Sequence, residues 1–119
     1  MDKENIMQFL IIAYDGKDDD ALNRRLKVRE KHLEGVRCRK KDGEHLYGGA
    51  ILDENGKMIG SMMVVEYPSL DNLQNNWLKT EPYVVGDVWR EIEVKPFKVP
   101  DIFSVSESFS NEFVTDKKV

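Results

Sequence analysis

Six segments follow one another along this chain in the order strand, helix, strand, strand, helix, strand, and few compact folds accept that order. Met7 to Tyr14 is rich in apolar and β-forming residues and reads as a buried strand. Asp15-Gly16-Lys17-Asp18-Asp19-Asp20 supplies a turn and several N-cap candidates for a helix from Ala21 to about Lys40, which Asp42-Gly43 ends. His45 to Asp53 and Met58 to Tyr67 read as two strands. Glu54-Asn55-Gly56-Lys57 between them carries the Asn-Gly signal of a tight hairpin. Pro68-Ser69 opens a second helix, with Ser69 as N-cap and Leu70, Leu73, Trp77 and Leu78 facing inward. Pro82 disfavours a helical Glu81, so this helix stops near Thr80 and Tyr83 to Val88 becomes a short irregular turn. Arg90 to Lys95 alternates as a fourth strand, which Pro96 breaks.

That order is the split βαβ, or ferredoxin-like, arrangement: an α+β fold in which two helices cover one face of a four-stranded antiparallel sheet. The opposite face needs cover as well. The first strand is apolar at both parities, and Met62, Met63, Val64 and Val65 run together in the third, which predicts burial on both faces. No residues remain for a third layer, so a second copy of the chain is the expected cover and a homodimer the expected state. Residues 1–98 form the domain. Residues 99–119 form a C-terminal tail, polar through Ser104, Ser106, Ser108 and Ser110 yet carrying Ile102, Phe103, Phe109 and Phe113; it is either a frayed end or an arm docking on the partner subunit.

A length of 119 residues accommodates one domain. The net charge of −4 argues against a nucleic-acid partner, which needs a basic face. Arg37, Arg39, Lys40 and Lys41 do cluster, but they read as a solvated helix end with cations near its C-terminus. No apolar run approaches the roughly 20 residues of a membrane span, and Met1 to Asn5 is too polar for a signal peptide. The single cysteine, Cys38, forms no intrachain disulfide and has no obvious base to activate it, so a cytoplasmic setting is expected. His32, His45 and Cys38 offer no closely spaced ligand pair, and neither a Gly-rich phosphate loop nor a serine-hydrolase elbow occurs. Neither metal nor cofactor is expected.

Within the first helix, Leu22, Leu26, Leu33 and Val36 recur at helical spacing and define one apolar stripe on a highly charged surface. At about 100° per residue, His32 lies roughly 85° from the centre of that stripe, on the border between core and solvent, with Arg25 and Arg29 on its side. A border histidine is either a satisfied ring without chemistry or part of a pocket wall. Glu81, at the exit of the second helix, would share a pocket with it if the two segments pack side by side.

Arg29-x-x-His32-Leu33, Gly48-Gly49, Gly60-Ser61, Glu81-Pro82-Tyr83 and Val94-Lys95-Pro96-Phe97 occur in that order over residues 7–98. This pattern resembles the YciI-like, or YCII-related, family, whose members adopt the ferredoxin-like fold and dimerise as α/β barrels. The resemblance implies a pocket between sheet and helices centred on a histidine and an aspartate. By matching motifs the histidine is His32, whereas the aspartate position holds Glu81, a departure from the family pattern. Ala50 stands where the pattern tends to have proline. Relatives with assigned roles include a dehydrochlorinase acting on a chlorinated hydroxyhydroquinone.

A carboxylate beside a histidine stabilises the imidazolium and fixes the ring's tautomer, leaving the other nitrogen free to take or give a proton. Such a pair suits proton abstraction next to a carbonyl, tautomerisation or elimination. His32 and Glu81 are the candidate catalytic residues. Arg29 would hold an anionic substrate group or pair with a nearby acid. Gly48 and Gly49 mark either a bulge or a close ligand approach. Ser61 would point its hydroxyl into the pocket or bond to backbone, and Tyr83 is core packing or pocket wall. The expected function is a cofactor-free enzyme acting on a small hydroxylated or anionic compound. The alternative is a non-catalytic ligand-binding or assembly module on the same dimeric fold.

Overall fold

A computed structural model describes residues 6–101. The elements run β1 (Met7–Asp15), α1 (Ala21–Lys41), β2 (His45–Leu52), β3 (Met58–Tyr67), α2 (Leu70–Asn76), a 3-10 turn (Leu78–Thr80), α3 (Pro82–Val85) and β4 (Trp89–Phe97). The strands form one sheet in the order β2-β3-β1-β4, with every neighbouring pair antiparallel. This is the ferredoxin-like α+β arrangement. The tail's serines and phenylalanines from residue 102 onward lie outside the described residues.

Local chemistry sets most boundaries. Ser69 Oγ accepts the Asn72 N–H at 3.0 Å and caps α2. In the β2–β3 hairpin, one Asp53 carboxylate oxygen accepts the N–H groups of Asn55 and Lys57 at 2.8 and 3.0 Å. The second helix is shorter than its spacing predicts. Trp77 leaves the helical region at φ −132°, ψ −61°, and the chain tightens into the 3-10 turn. Pro82 then starts α3, where an irregular turn was expected, because a fixed φ suits a first helical turn. Leu73 and Trp77 face inward as expected, but Leu70 is 44% exposed. Nor does Pro96 end β4: it pairs with Phe9 on an edge strand, where a missing N–H breaks no ladder bond.

The core lies between the helices and one face of the sheet: Phe9, Ile11 and Ala13 of β1, Met63, Val65 and Tyr67 of β3, and Leu73, Trp77 and Tyr83 from the helical layer. Strand alternation turns Leu10, Ile12, Met62 and Val64 to the opposite face. On that face Leu10, Ile12 and Met62 are half-buried and Val64 is 6% exposed, while Tyr47 beside Val64 is 69% exposed.

The face α1 presents to the core is the largest correction to the sequence reading. Leu26 is 51% exposed, and Leu22, Leu33 and Val36 are only half-buried. The buried positions are Ala21, Arg25 and His32, with Val28 packed against the core and Arg39 partly shielded. That row has helical spacing but is largely cationic. It can be buried because acids and aromatic rings from the rest of the chain meet it. Gly86 allows the approach: a Cβ there would lie 3.3 Å from both Val28 methyls, so its absence lets α1 settle onto α3. Among the described residues, no helix is long and apolar enough to cross a membrane.

Candidate functional site

The site is assembled from the two ends of α1 outward. Near its N-terminus, Arg25 Nη1 donates to both oxygens of Asp15, at 2.9 and 3.1 Å, and both side chains are 3% exposed. Burial pushes the Asp15 carboxyl above its ordinary value, and the Arg25 charge beside it only partly reverses that. Arg25 Nη2 donates to Ser61 Oγ at 2.9 Å, and Trp89 Nε1 donates to the same oxygen at 3.1 Å. The guanidinium lies over the Tyr83 ring, 4.6 Å from its centroid.

Two turns further along α1, His32 Nδ1 is 2.7 Å from Glu81 Oε1. The same carboxylate oxygen accepts the Tyr83 N–H at 3.0 Å and so caps α3. Glu81 is 1% exposed and His32 7%. Glu81 Oε2 accepts from Arg39 Nη2 at 3.3 Å, and the Arg39 guanidinium rests over Trp77, 5.1 Å from the ring centroid. Tyr83 stacks on the His32 imidazole with centroids 4.0 Å apart and planes 16° from parallel. Ring, carboxylate and stacking partner are all held, so the imidazole has one orientation.

A cavity of about 140 Å³ opens between α1 and the inner face of β2 and β3. His32, Arg29, Gly48, Gly49, Ser61 and Tyr83 all line it. Glu81 does not; it sits behind His32 and reaches the cavity only through the ring. Arg29 is exposed at the rim, and among the described residues it has no ion-pair partner. Ser61 bonds to side chains rather than backbone. Tyr83 is both core and wall, and burial raises its hydroxyl's pKa against the pull of Arg25 and Arg29, so it stays a donor. The glycines are not a bulge: the register runs unbroken from Tyr47 to Ile51, with shifts only on either side. A Cβ on Gly48 would come within 2.7 Å of the Met62 carbonyl oxygen and 2.9 Å of Met63 Cγ.

Three lining or supporting residues escape a reading by hydrophobic pattern. Arg25 and Arg39 are charged, and pattern places charge outside. His45, 6% exposed, also lines the cavity, although its strand position alone carries no sign of a site. The useful signal is spacing: Arg25, His32 and Arg39 recur every seven residues, which keeps them on one side of α1. Among the described residues no group of three or more His, Cys, Asp or Glu side chains could hold a metal ion.

Fold and pocket together define a ferredoxin-like α+β domain with a buried histidine–carboxylate pair beneath a small cavity. The chain belongs to the YCII-related family, whose domain model matches residues 7–98. It is 33% identical over 95 residues to Protein YciI of Escherichia coli O6:H1, covering 75% of this chain and 96% of that protein. It is 34% identical over 97 residues to an uncharacterized protein of Haemophilus influenzae, covering 77% of this chain and 97% of the relative. Its fold is similar to that of 5-chloro-2-hydroxyhydroquinone dehydrochlorinase (TftG) from Burkholderia phenoliruptrix AC1100, solved with 2,5-dihydroxybenzoquinone. The TM-score is 0.67 at 22% identity, over 81% of this chain and 98% of that one.

Proposed function

We propose that this chain is a cofactor-free enzyme that moves a proton on a small hydroxylated or anionic compound, with His32 as general base and acid. The observation that carries the reading is the 2.7 Å contact between His32 Nδ1 and the fully buried Glu81. With Nδ1–H directed at Glu81, the bare nitrogen of His32 is Nε2, which has no protein partner among the described residues and belongs to a ring lining the cavity. Nε2 takes a proton from a hydroxyl, or from a carbon next to a carbonyl, and Glu81 balances the imidazolium that forms. Returning the proton elsewhere on the same molecule gives tautomerisation or isomerisation. Expulsion of an anion by the released electron pair gives elimination, with the proton passing to solvent.

Substrate size follows from the cavity. A void near 150 Å³ holds one benzene-sized ring, and this one is about 140 Å³. The dehydrochlorinase of similar fold was solved with a compound of that size. Arg29 at the rim supplies a free guanidinium for an anionic group. A second reading, a ligand-binding module without chemistry, draws on Arg39: it holds the second oxygen of Glu81 and competes with His32 for the carboxylate's charge. The working unit in this proposal is a cytoplasmic homodimer whose partner covers the apolar face of Leu10, Ile12, Met62 and Val64.

The test is turnover. Candidate hydroxylated rings, halogenated and not, are incubated in deuterium oxide and followed for proton exchange and halide release. Replacing His32 by Gln should lower either rate by about 10²–10⁴-fold. Equal rates for the two proteins would exclude His32 as the proton carrier.

A further inference from the structure

His45 and Ser61 stand at opposite ends of the pocket floor. His45 pairs with Val65 across the β2–β3 ladder, whereas Ser61 pairs with Ala50. Ser61 and Val65 are four steps apart along β3, about 13 Å between their Cα atoms at the usual strand rise. Both side chains line the cavity that His32 lines.

Each end presents one hydrogen-bond donor. Ser61 Oγ accepts from Arg25 and Trp89, which occupies both lone pairs and leaves its O–H to donate. His45 Nδ1 is enclosed and has no hydrogen-bond partner among the described residues. An enclosed nitrogen is less costly as a bare lone pair than as an unmet N–H, so the proton belongs on Nε2. That nitrogen is likewise unpartnered among the described residues but is not fully enclosed. Burial first, then the charges of Arg39, Lys40 and His32, outweigh Glu81 and push this ring's pKa down to about 4, so His45 is neutral at pH 7. Gly48 keeps the space beside the ring open, since a Cβ there would lie 3.3 Å from His45 Cε1.

We propose that His45 is a second ligand-binding residue of this pocket, donating Nε2–H to one edge of a flat ring whose opposite edge offers an acceptor oxygen to Ser61 O–H. The inference rests on the pocket assignment made above and narrows it to single rings with oxygens on opposite edges, the quinone and hydroxyquinone class. A neutral donor suits a carbonyl oxygen that gains negative charge as His32 removes a proton: the hydrogen bond strengthens as the charge builds.

Binding of 2,5-dihydroxybenzoquinone and of benzoate, whose oxygens share one edge, separates the outcomes. Wild type should bind the quinone. His45→Leu should weaken quinone binding by about 10-fold, the loss of one hydrogen bond, and leave benzoate unchanged. His45→Gln, which retains a neutral donor, should stay within about 3-fold of wild type. Thermal melts verify that each variant folds. Equal quinone affinity for wild type and His45→Leu would overturn the role of His45 while leaving the His32 reading intact. A His45 ring that titrates above pH 6 by NMR would overturn it as well. A wild-type protein that binds neither compound would remove the pocket reading and this proposal together.

Discussion

The imidazole of His32 lies flat on the ring of Tyr83, with centroids 4.0 Å apart, while the Tyr83 backbone N–H shares a carboxylate oxygen with His32 Nδ1. One residue thus fixes the plane of the ring and helps fix its partner. Tyr83→Phe keeps the stack and should leave turnover within a few-fold of wild type. Tyr83→Leu removes the flat surface and the support under Arg25; it should cost roughly 2–3 kcal/mol of stability and at least 10-fold in kcat. Denaturant unfolding and steady-state rates check both.

Arg39 is the least expected member of the site. Arg39→Met preserves bulk over Trp77 but leaves Glu81 Oε2 unmatched, which should destabilise the fold by about 1–3 kcal/mol. Arg39→Lys should recover only part of this, because an ammonium lacks the flat guanidinium face that rests over Trp77. Glu81→Gln should cost more than either, since it strips a charge from both His32 and Arg39. Urea melts at pH 7.5 rank the three variants.

Stability should fall as pH drops from about 6.5 to 4. His45 is held neutral in the fold, with its pKa lowered to about 4, whereas an unfolded histidine protonates near 6.5. Across that window the unfolded chain binds the extra proton, so unfolding gains up to about 3 kcal/mol from this residue. Above the window both states are neutral and the effect vanishes. Unfolding free energies at pH 7.5, 5.5 and 4.5 should converge between wild type and His45→Gln if the assignment is correct.

Adjacent glycines should respond differently to the same methyl group. Gly48→Ala drives a Cβ to 2.7 Å from the Met62 carbonyl oxygen, an overpacking that costs typically about 1–3 kcal/mol. Gly49→Ala meets nothing within 4 Å and should alter stability by less than about 0.5 kcal/mol. Thermal denaturation of the two variants side by side is sufficient.

The sheet face turned away from the helices makes a prediction about assembly. Met62→Lys places a charge among Leu10, Ile12 and Val64, where a second sheet would have to desolvate it. Wild type should sediment as a dimer and the variant as a monomer at micromolar concentration. A monomeric wild type would remove the second copy from the proposed working unit.

Turn chemistry and strand alternation made the fold legible: Asn55-Gly56, Pro68-Ser69 and the apolar runs of β1 and β3 place every strand within a few residues. Helical periodicity alone places His32 only on the border between core and solvent; the order of short motifs is what singles out His32 and Glu81 as a pair. Periodicity pointed the other way on α1, because a hydrophobic scale ranks Leu26 above Arg25 and knows nothing of Asp15, Ser61 or Tyr83 waiting beneath. The break at Trp77 was equally hidden, since nothing in Asn75-Asn76-Trp77-Leu78 forbids another helical turn.

The cationic inner row of α1 has a consequence for how this molecule reaches its native state. Arg25 needs Asp15, only 10 residues away, but His32 and Arg39 need Glu81, 49 and 42 residues downstream. Without the second half of the chain in place, α1 docked on the sheet would bury Arg39 and His32 without the carboxylate that meets them, which costs about 1–3 kcal/mol per group left unmatched. The wall of the pocket is therefore closed by the same contacts that seat the helix, and a substitution at Glu81 disturbs both at once.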